Sequence, residues 1–200
     1  MTETDDQMAA EQRRAAAVSS IAAVAGRHVD DLAELPAENL PAPLRRLGAP
    51  PGWRLANLAG SPVAPARVAV YGQHPDGSWD GCETIRAFGF TGALSADVVR
   101  DNAACTLRDL GAEDITTAAL AAPPAPAATA VRSSGHFTIA GRGVWAQFST
   151  YLANPTPAAR GMLIEHSLAI DSRCRAGLYD DITNLSNSIH HAFLAAIKPT

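Results

Sequence analysis

From residue 136 to residue 170 hydrophobicity alternates with a period of two, and this restricts the chain to sheet structure more firmly than any other stretch of its 200 residues. Phe137 and Ile139 alternate with His136 and Thr138. Past Gly141 and Arg142 the alternation resumes, with Val144, Ala146, Phe148 and Leu152 on one face and Trp145, Gln147, Ser149 and Tyr151 on the other. A two-residue Gly141-Arg142 loop pairs Ile139 with Val144, Phe137 with Ala146, Thr138 with Trp145 and His136 with Gln147. After Asn154-Pro155-Thr156-Pro157 a third strand carries Met162, Ile164, His166, Leu168 and Ile170 on the apolar parity, with Glu165 and Ser167 opposite. The three strands form an antiparallel meander.

The rest of the chain must supply the layers that cover this sheet. From Arg175 to Ile197 the period changes to that of a helix: Leu178, Ile182, Leu185, Ile189 and Phe193 make one apolar stripe. We expect this helix to clamp the sheet face opposite Trp145. Ser95 is a suitable N-cap for a helix reaching Leu110, with Gly111 at the C′ position. Strands are expected at 53–58, 66–73 and 79–91, where Ile85 and Phe88 lie in a β-rich run, and near 114–120. The segment AAPPAPAA, 121–128, reads as a surface crossing, because its prolines cannot occupy a central strand. Pro36, Pro41, Pro43, Pro50 and Pro51 mark 36–51 as a connector. The class is α+β: an antiparallel sheet flanked by helices, as a single domain over 52–198.

The segment RRAAAVSSIAAVAG, 13–26, has two readings. An export signal wants a basic start and a strong apolar run, whereas this chain begins MTETDD and its run is broken by Ser19 and Ser20. As a helix, Val18, Ala22, Ala25, Val29 and Leu32 form a narrow stripe, and Thr4, Asp5 and Asp6 can cap the start. We expect a helical extension over 1–35 and a cytoplasmic protein without a transmembrane segment, with export or envelope association as the alternative.

Composition supports a packed core, with 47% hydrophobic and 18% charged residues. The net charge of −4 has no basic stripe in it, so nucleic acid is not an expected partner. Cys82, Cys105 and Cys174 show no zinc spacing; their odd number argues for free thiols, with a Cys82–Cys105 bridge as the alternative. No nucleotide-binding glycine motif and no nucleophile elbow occurs, and no cofactor is expected.

Pro51-Gly52-Trp53 leads into three strands, a helix, four antiparallel strands and a C-terminal helix. Over residues 50 to 197 this order resembles the actinobacterial LpqN/LpqT lipoprotein family. The resemblance implies a PsbP-like α/β/α sandwich and a non-enzymatic interaction domain associated with the cell envelope. This chain departs from the lipoprotein pattern in that its first cysteine is Cys82, inside an expected strand.

Function has fewer markers. His190 and His191 are adjacent on a helix, about 100° apart, and cannot address one metal ion together. Ser133 and Ser134 precede His136 without an elbow motif. The polar parity of the meander gathers His136, Thr138, Trp145, Gln147, Ser149, Tyr151 and Glu165 on one expected face. Either the N-terminal helix covers that face or it stays open as a recognition surface, since Trp and Tyr among hydrogen-bonding groups suit binding hot spots. The first expectation is a non-catalytic domain that binds a protein or a small molecule, a homodimer being one form of such partnership. The second is a hydrolase-like enzyme using His136, Ser149 and Glu165 for acid–base work.

Overall fold

The computed structural model describes residues 18–56, 65–75, 77–124, 128–153 and 160–198. Short strand β1 (Asp30–Glu34) and the pair β2 (Arg54–Leu55) and β3 (Arg67–Gln73) precede the long strands: β4 (Trp79–Thr91), β6 (Ala128–Ile139), β7 (Arg142–Ala153) and β8 (Gly161–Asp171), with β5 (Glu113–Ala119) before β6. They form one eight-stranded sheet in the order β2-β3-β4-β8-β7-β6-β5, and β1 lies beside the far end of β4. Every pairing is antiparallel. The helices are α1 (Ile21–Ala25), α2 (Ala42–Arg45), α3 (Ala96–Asp101), α4 (Cys105–Asp109) and α5 (Tyr179–Ala196).

The β6–β7 turn is Ala140-Gly141, not Gly141-Arg142, so Ile139 faces Arg142 and His136 faces Trp145. Both turn residues have positive φ (48° and 74°), as a type I′ turn requires, and glycine takes the second position at no steric cost. Arg142 is thereby released into β7 and donates to Asp171 at 3.1 Å. The shift is two residues, so the expected faces of β6 and β7 survive it.

Both sheet faces are covered. On one, α5 lays Ile182, Leu185, Ile189 and Phe193 over Ile85, Tyr151, Ile164 and Leu168, while Leu40 and Leu44 of the proline-rich connector pack beside them. The Pro51-Gly52-Trp53 lead-in closes this layer. Gly52 has φ +85° and lies against the Tyr71 ring, and the buried Trp53 donates its indole N–H to Asp181 of α5 at 3.0 Å. On the other face, Ile21, Ala22 and Ala25 of α1 join Leu94, Val99 and Ala103 over Phe88, Phe90, Leu152 and Leu163.

Three expectations change here. Of the helical extension expected over 1–35, residues 1–17 lie outside the described part, and within 18–35 the helix is Ile21–Ala25, capped by Ser20, whose hydroxyl accepts from Ala23 N–H at 3.1 Å. It ends at Gly26, and Leu32 lies in β1, which pairs with β4 instead of continuing a helix. Thr4, Asp5 and Asp6 lie outside the described residues. The 95–110 helix is split into α3 and α4 where the Asn102 side chain donates to the Val98 carbonyl at 2.8 Å. Finally, α5 covers the face that carries Trp145, not the opposite one, and α1 covers the other. With a helical layer on each side, both parities of a central strand are buried, and an apolar pattern alone does not say which helix lies over which.

Candidate ligand cavity

The α1 layer is built of short helices, and they do not close completely over the sheet. A cavity of about 160 Å³ remains, floored by Thr84 and Arg86 of β4, Glu165 and Ser167 of β8 and Phe148 and Thr150 of β7, and roofed by Val18–Ile21 and Thr106. Register places these side chains together: Arg86 pairs with Glu165 and Glu165 with Thr150, and in the next row Thr84 pairs with Ser167 and Ser167 with Phe148.

The roof is tied down by side chains. Asp109 accepts from Ser19 N–H at 2.8 Å, and Thr106 donates its hydroxyl to the Ser19 carbonyl at 2.8 Å. Glu165 accepts from Ala22 N–H at 2.7 Å. Burial pushes the Glu165 carboxyl above the usual carboxylate range, against the pull of that bond and of Arg86. Arg86 is committed elsewhere: it donates twice to Glu34, at 3.0 and 2.7 Å, and stacks over Phe88 at 5.1 Å.

The seven residues expected on one face divide between two. Trp145, Gln147, Ser149 and Tyr151 are buried beneath α5. Gln147 donates to the Ser186 hydroxyl at 2.7 Å, Ser149 accepts from Arg132 at 3.1 Å, and Tyr151 packs on Phe193 with ring centroids 5.1 Å apart. Arg175 caps Trp145 at 4.6 Å and approaches His136 at 3.4 Å. His136 and Thr138 lie farther out, in a shallow cleft with Glu113 and Ser172. Glu165 belongs to the other face, the α1 side. It pairs with Thr150, while His166 is the residue opposite Ser149. The acid–base group of His136, Ser149 and Glu165 is therefore not assembled.

A different polar group lies under α5, and sequence reasoning missed it. Glu83, 2% exposed, accepts from Arg67 at 2.8 Å and meets His166 Nε2 at 3.2 Å, with Ser149 beside the histidine. Burial opposes ionisation of Glu83, but the bond from His166 and the attraction of His166 and Arg67 outweigh it and hold the carboxyl below its ordinary range. Arg67 also donates to the Leu47 and Gly48 carbonyls at 2.7 and 2.9 Å, fastening the connector. Ser149 and His166 are each 1% exposed.

Thr84, Arg86, Phe148 and Ser167 were likewise not singled out. The signal was available: Glu83 and Arg86 are charges of opposite parity inside a strand of Ile, Ala and Phe, which requires a polar partner on each face. His190 is partly buried and its pKa is lowered, first by burial, whereas His191 is exposed on the outer side of α5. Among the described residues no group of three or more His, Cys, Asp or Glu side chains is arranged to hold a metal ion. Cys82, Cys105 and Cys174 are free thiols.

No protein-family profile matches this chain, and no curated protein matches its sequence. The fold does have a counterpart. The crystal structure of LpqN, described as involved in cell envelope biogenesis of Mycobacterium tuberculosis, superposes with a TM-score of 0.61 over 86% of this chain and 96% of that one. The two chains share a fold. At 17% identity the likeness to LpqN extends to the arrangement of strands and helices and carries no residue roles across.

Proposed function

We propose that this chain is a non-catalytic binding domain whose ligand is a small molecule held in the cavity between the sheet and the α1 layer. The observation that carries this reading is the polar lining of a concave site. Glu165 and the hydroxyls of Thr84, Thr106 and Ser167 converge beside the Phe148 ring, the mixture of convergent polar groups and apolar wall that ligand sites use. The enzyme reading has less support, because the close His166–Glu83 pair is buried and held with Arg67 as a structural ion-pair network.

A second concavity, about 540 Å³ and wider, lies between the connector and β3 and is lined by Leu40, Leu44, Leu47 and Leu55. It borders residues 57–64, outside the described part of the chain. The α1 cavity is the more enclosed and the more complete in its described walls.

The fold shared with a protein involved in cell envelope biogenesis makes the envelope the alternative setting to the cytoplasm for this role. No helix among the described residues is long and apolar enough to cross a membrane. Fractionation of native cells separates the two settings.

The test of the binding role is a thermal-shift and ligand-observed NMR screen of the full chain beside Ser167→Leu, which places four carbons on the cavity floor. Ligands that raise the wild-type midpoint should fail to raise that of Ser167→Leu. If they act equally on both proteins, the cavity is not the site.

A further inference from the structure

Charge accounting around the cavity narrows the ligand. Three ionisable residues line the cavity, Arg86, Glu165 and His166, and the His166 ring is taken up by Glu83 on the α5 side. The guanidinium of Arg86 is matched by Glu34 through two parallel bonds, so that pair is neutral as a unit. Glu165 is attracted by Arg86, its neighbour across β4 and β8, but forms no ion pair of its own. Among the described residues no cationic side chain lies within ion-pairing distance of it, and its hydrogen-bond partner is the Ala22 backbone N–H. A carboxylate offers about four accepting positions. Ala22 takes up one, which leaves accepting capacity on a carboxylate that has no ion pair of its own in the cavity wall.

The remaining lining suits the opposite sign. The hydroxyl oxygens of Thr84 and Ser167 accept hydrogen bonds, and the negative face of the Phe148 ring attracts a cation. An anionic ligand would meet Glu165 without a free guanidinium to answer it. A neutral polyol would satisfy the hydroxyls but leave the carboxylate desolvated and unpaired, at a cost that binding has to absorb.

We infer that the cavity takes a small organic cation, an ammonium or amidinium group, with Glu165 as its counter-ion and Phe148 as its ring wall. This rests on the ligand-binding reading above. At about 160 Å³ the space is well under the ~300–1,000 Å³ of sites for drug-sized ligands, so the class is that of small amines. Competition with protons follows. The charged and titratable groups facing Glu165 are Arg86 of β4 with Glu34 of β1, and Cys105 of α4. A permanently charged ligand binds the ionised carboxylate, and its affinity falls as pH drops through the Glu165 value.

The experiment compares choline with 3,3-dimethyl-1-butanol, its uncharged carbon isostere, on the full-length protein. Ethanolamine, guanidinium, glycerol and acetate complete the panel. Binding is read by amide shifts in NMR, above all that of Ala22, whose N–H touches Glu165. The expected result is that one or more of the cations binds, that the isostere of choline does not, and that Glu165→Gln weakens cation binding at least about tenfold. Acidification weakens the wild type and not the Gln variant.

Binding of the isostere, glycerol or acetate in preference to the cations, lost in Ser167→Leu, overturns the cation assignment and leaves the ligand cavity standing. Cation binding that Glu165→Gln leaves unchanged overturns it also. If no compound of any charge moves the Ala22 amide and the broader screen finds no ligand sensitive to Ser167→Leu, both readings fail together.

Discussion

On one face of the sheet Glu83 is held by Arg67 at 2.8 Å and His166 at 3.2 Å beneath a helix of 18 residues. On the other, Glu165 meets a backbone N–H at 2.7 Å beneath helices of five and six residues. The long helix lays a continuous stripe along the sheet and buries polar groups beneath it, some paired, as Glu83 is, and some with a buried atom left without a hydrogen-bond partner, as at Tyr151 OH and His166 Nδ1. The short helices turn away every five or six residues, and the interval becomes a cavity with a carboxylate in its wall. The same sheet thus supports a tight helical clamp over one part of one face, with the connector concavity at its edge, and a smaller enclosed cavity on the other face. The directions of the two carboxyl pKa values record the difference: Glu83 is lowered and Glu165 is raised.

The strongest way to break the clamped side is Phe193→Ala. Phe193 is fully buried against Tyr151, and truncation should cost about 3–5 kcal/mol, seen as a large drop in the denaturation midpoint. Glu83→Gln should follow at about 3 kcal/mol, the lower end for breaking a buried pair, because the amide oxygen still accepts one bond. The pH dependence of that loss has a definite sign. A carboxyl with a lowered folded-state pKa contributes fully above the ordinary carboxylate range and loses its contribution as pH falls through the folded-state value. Wild type should therefore lose stability relative to Glu83→Gln on acidification.

Glu165 should behave in the opposite way, which sharpens the comparison. Its folded-state pKa is raised, so the folded protein holds that proton more tightly than the unfolded chain does. Stability then rises as pH falls through the folded-state value, and ionisation at neutral pH costs some of it. Glu165→Gln should raise the neutral-pH midpoint by no more than about 1 kcal/mol and should flatten this part of the pH profile. The smallest effect belongs to His191→Ala, on the exposed side of α5, at less than about 0.5 kcal/mol. A drop as large as that of Phe193→Ala would show that the outer side of the helix is packed after all.

Much of the α5 face could be read from sequence. Ile182, Leu185, Ile189 and Phe193 repeat at helical spacing, and the alternation of β6 and β7 assigns their side chains to the correct faces although the turn lies one residue earlier and the pairing shifts by two. Periodicity reports which residues share a face and leaves open which helix lies over it. For that reason Glu165 was grouped with Trp145, and α5 was expected opposite them. The cavity was harder to foresee. Its floor combines three strands, with β4 and β8 meeting only through long-range register, and its roof follows from Gly26 ending α1 and Asn102 splitting the 95–110 helix. The strand register of the floor is not local in the chain, and the two helix breaks that shape the roof, though local, carry no hydrophobic period to mark them.

The strand order has a kinetic consequence. β2, β3 and β4 lie side by side in chain order, as do β5, β6, β7 and β8, so each run assembles from near neighbours. Only the β4–β8 seam joins the runs, and its Glu83–His166 contact spans 83 residues. Closing so long a loop carries an entropy cost before any seam contact rewards it, which makes this closure the slow event of folding. Until it happens, β4 and β8 each present an unpaired edge to other chains, so refolding yield should fall with protein concentration even though the finished sheet hides both edges.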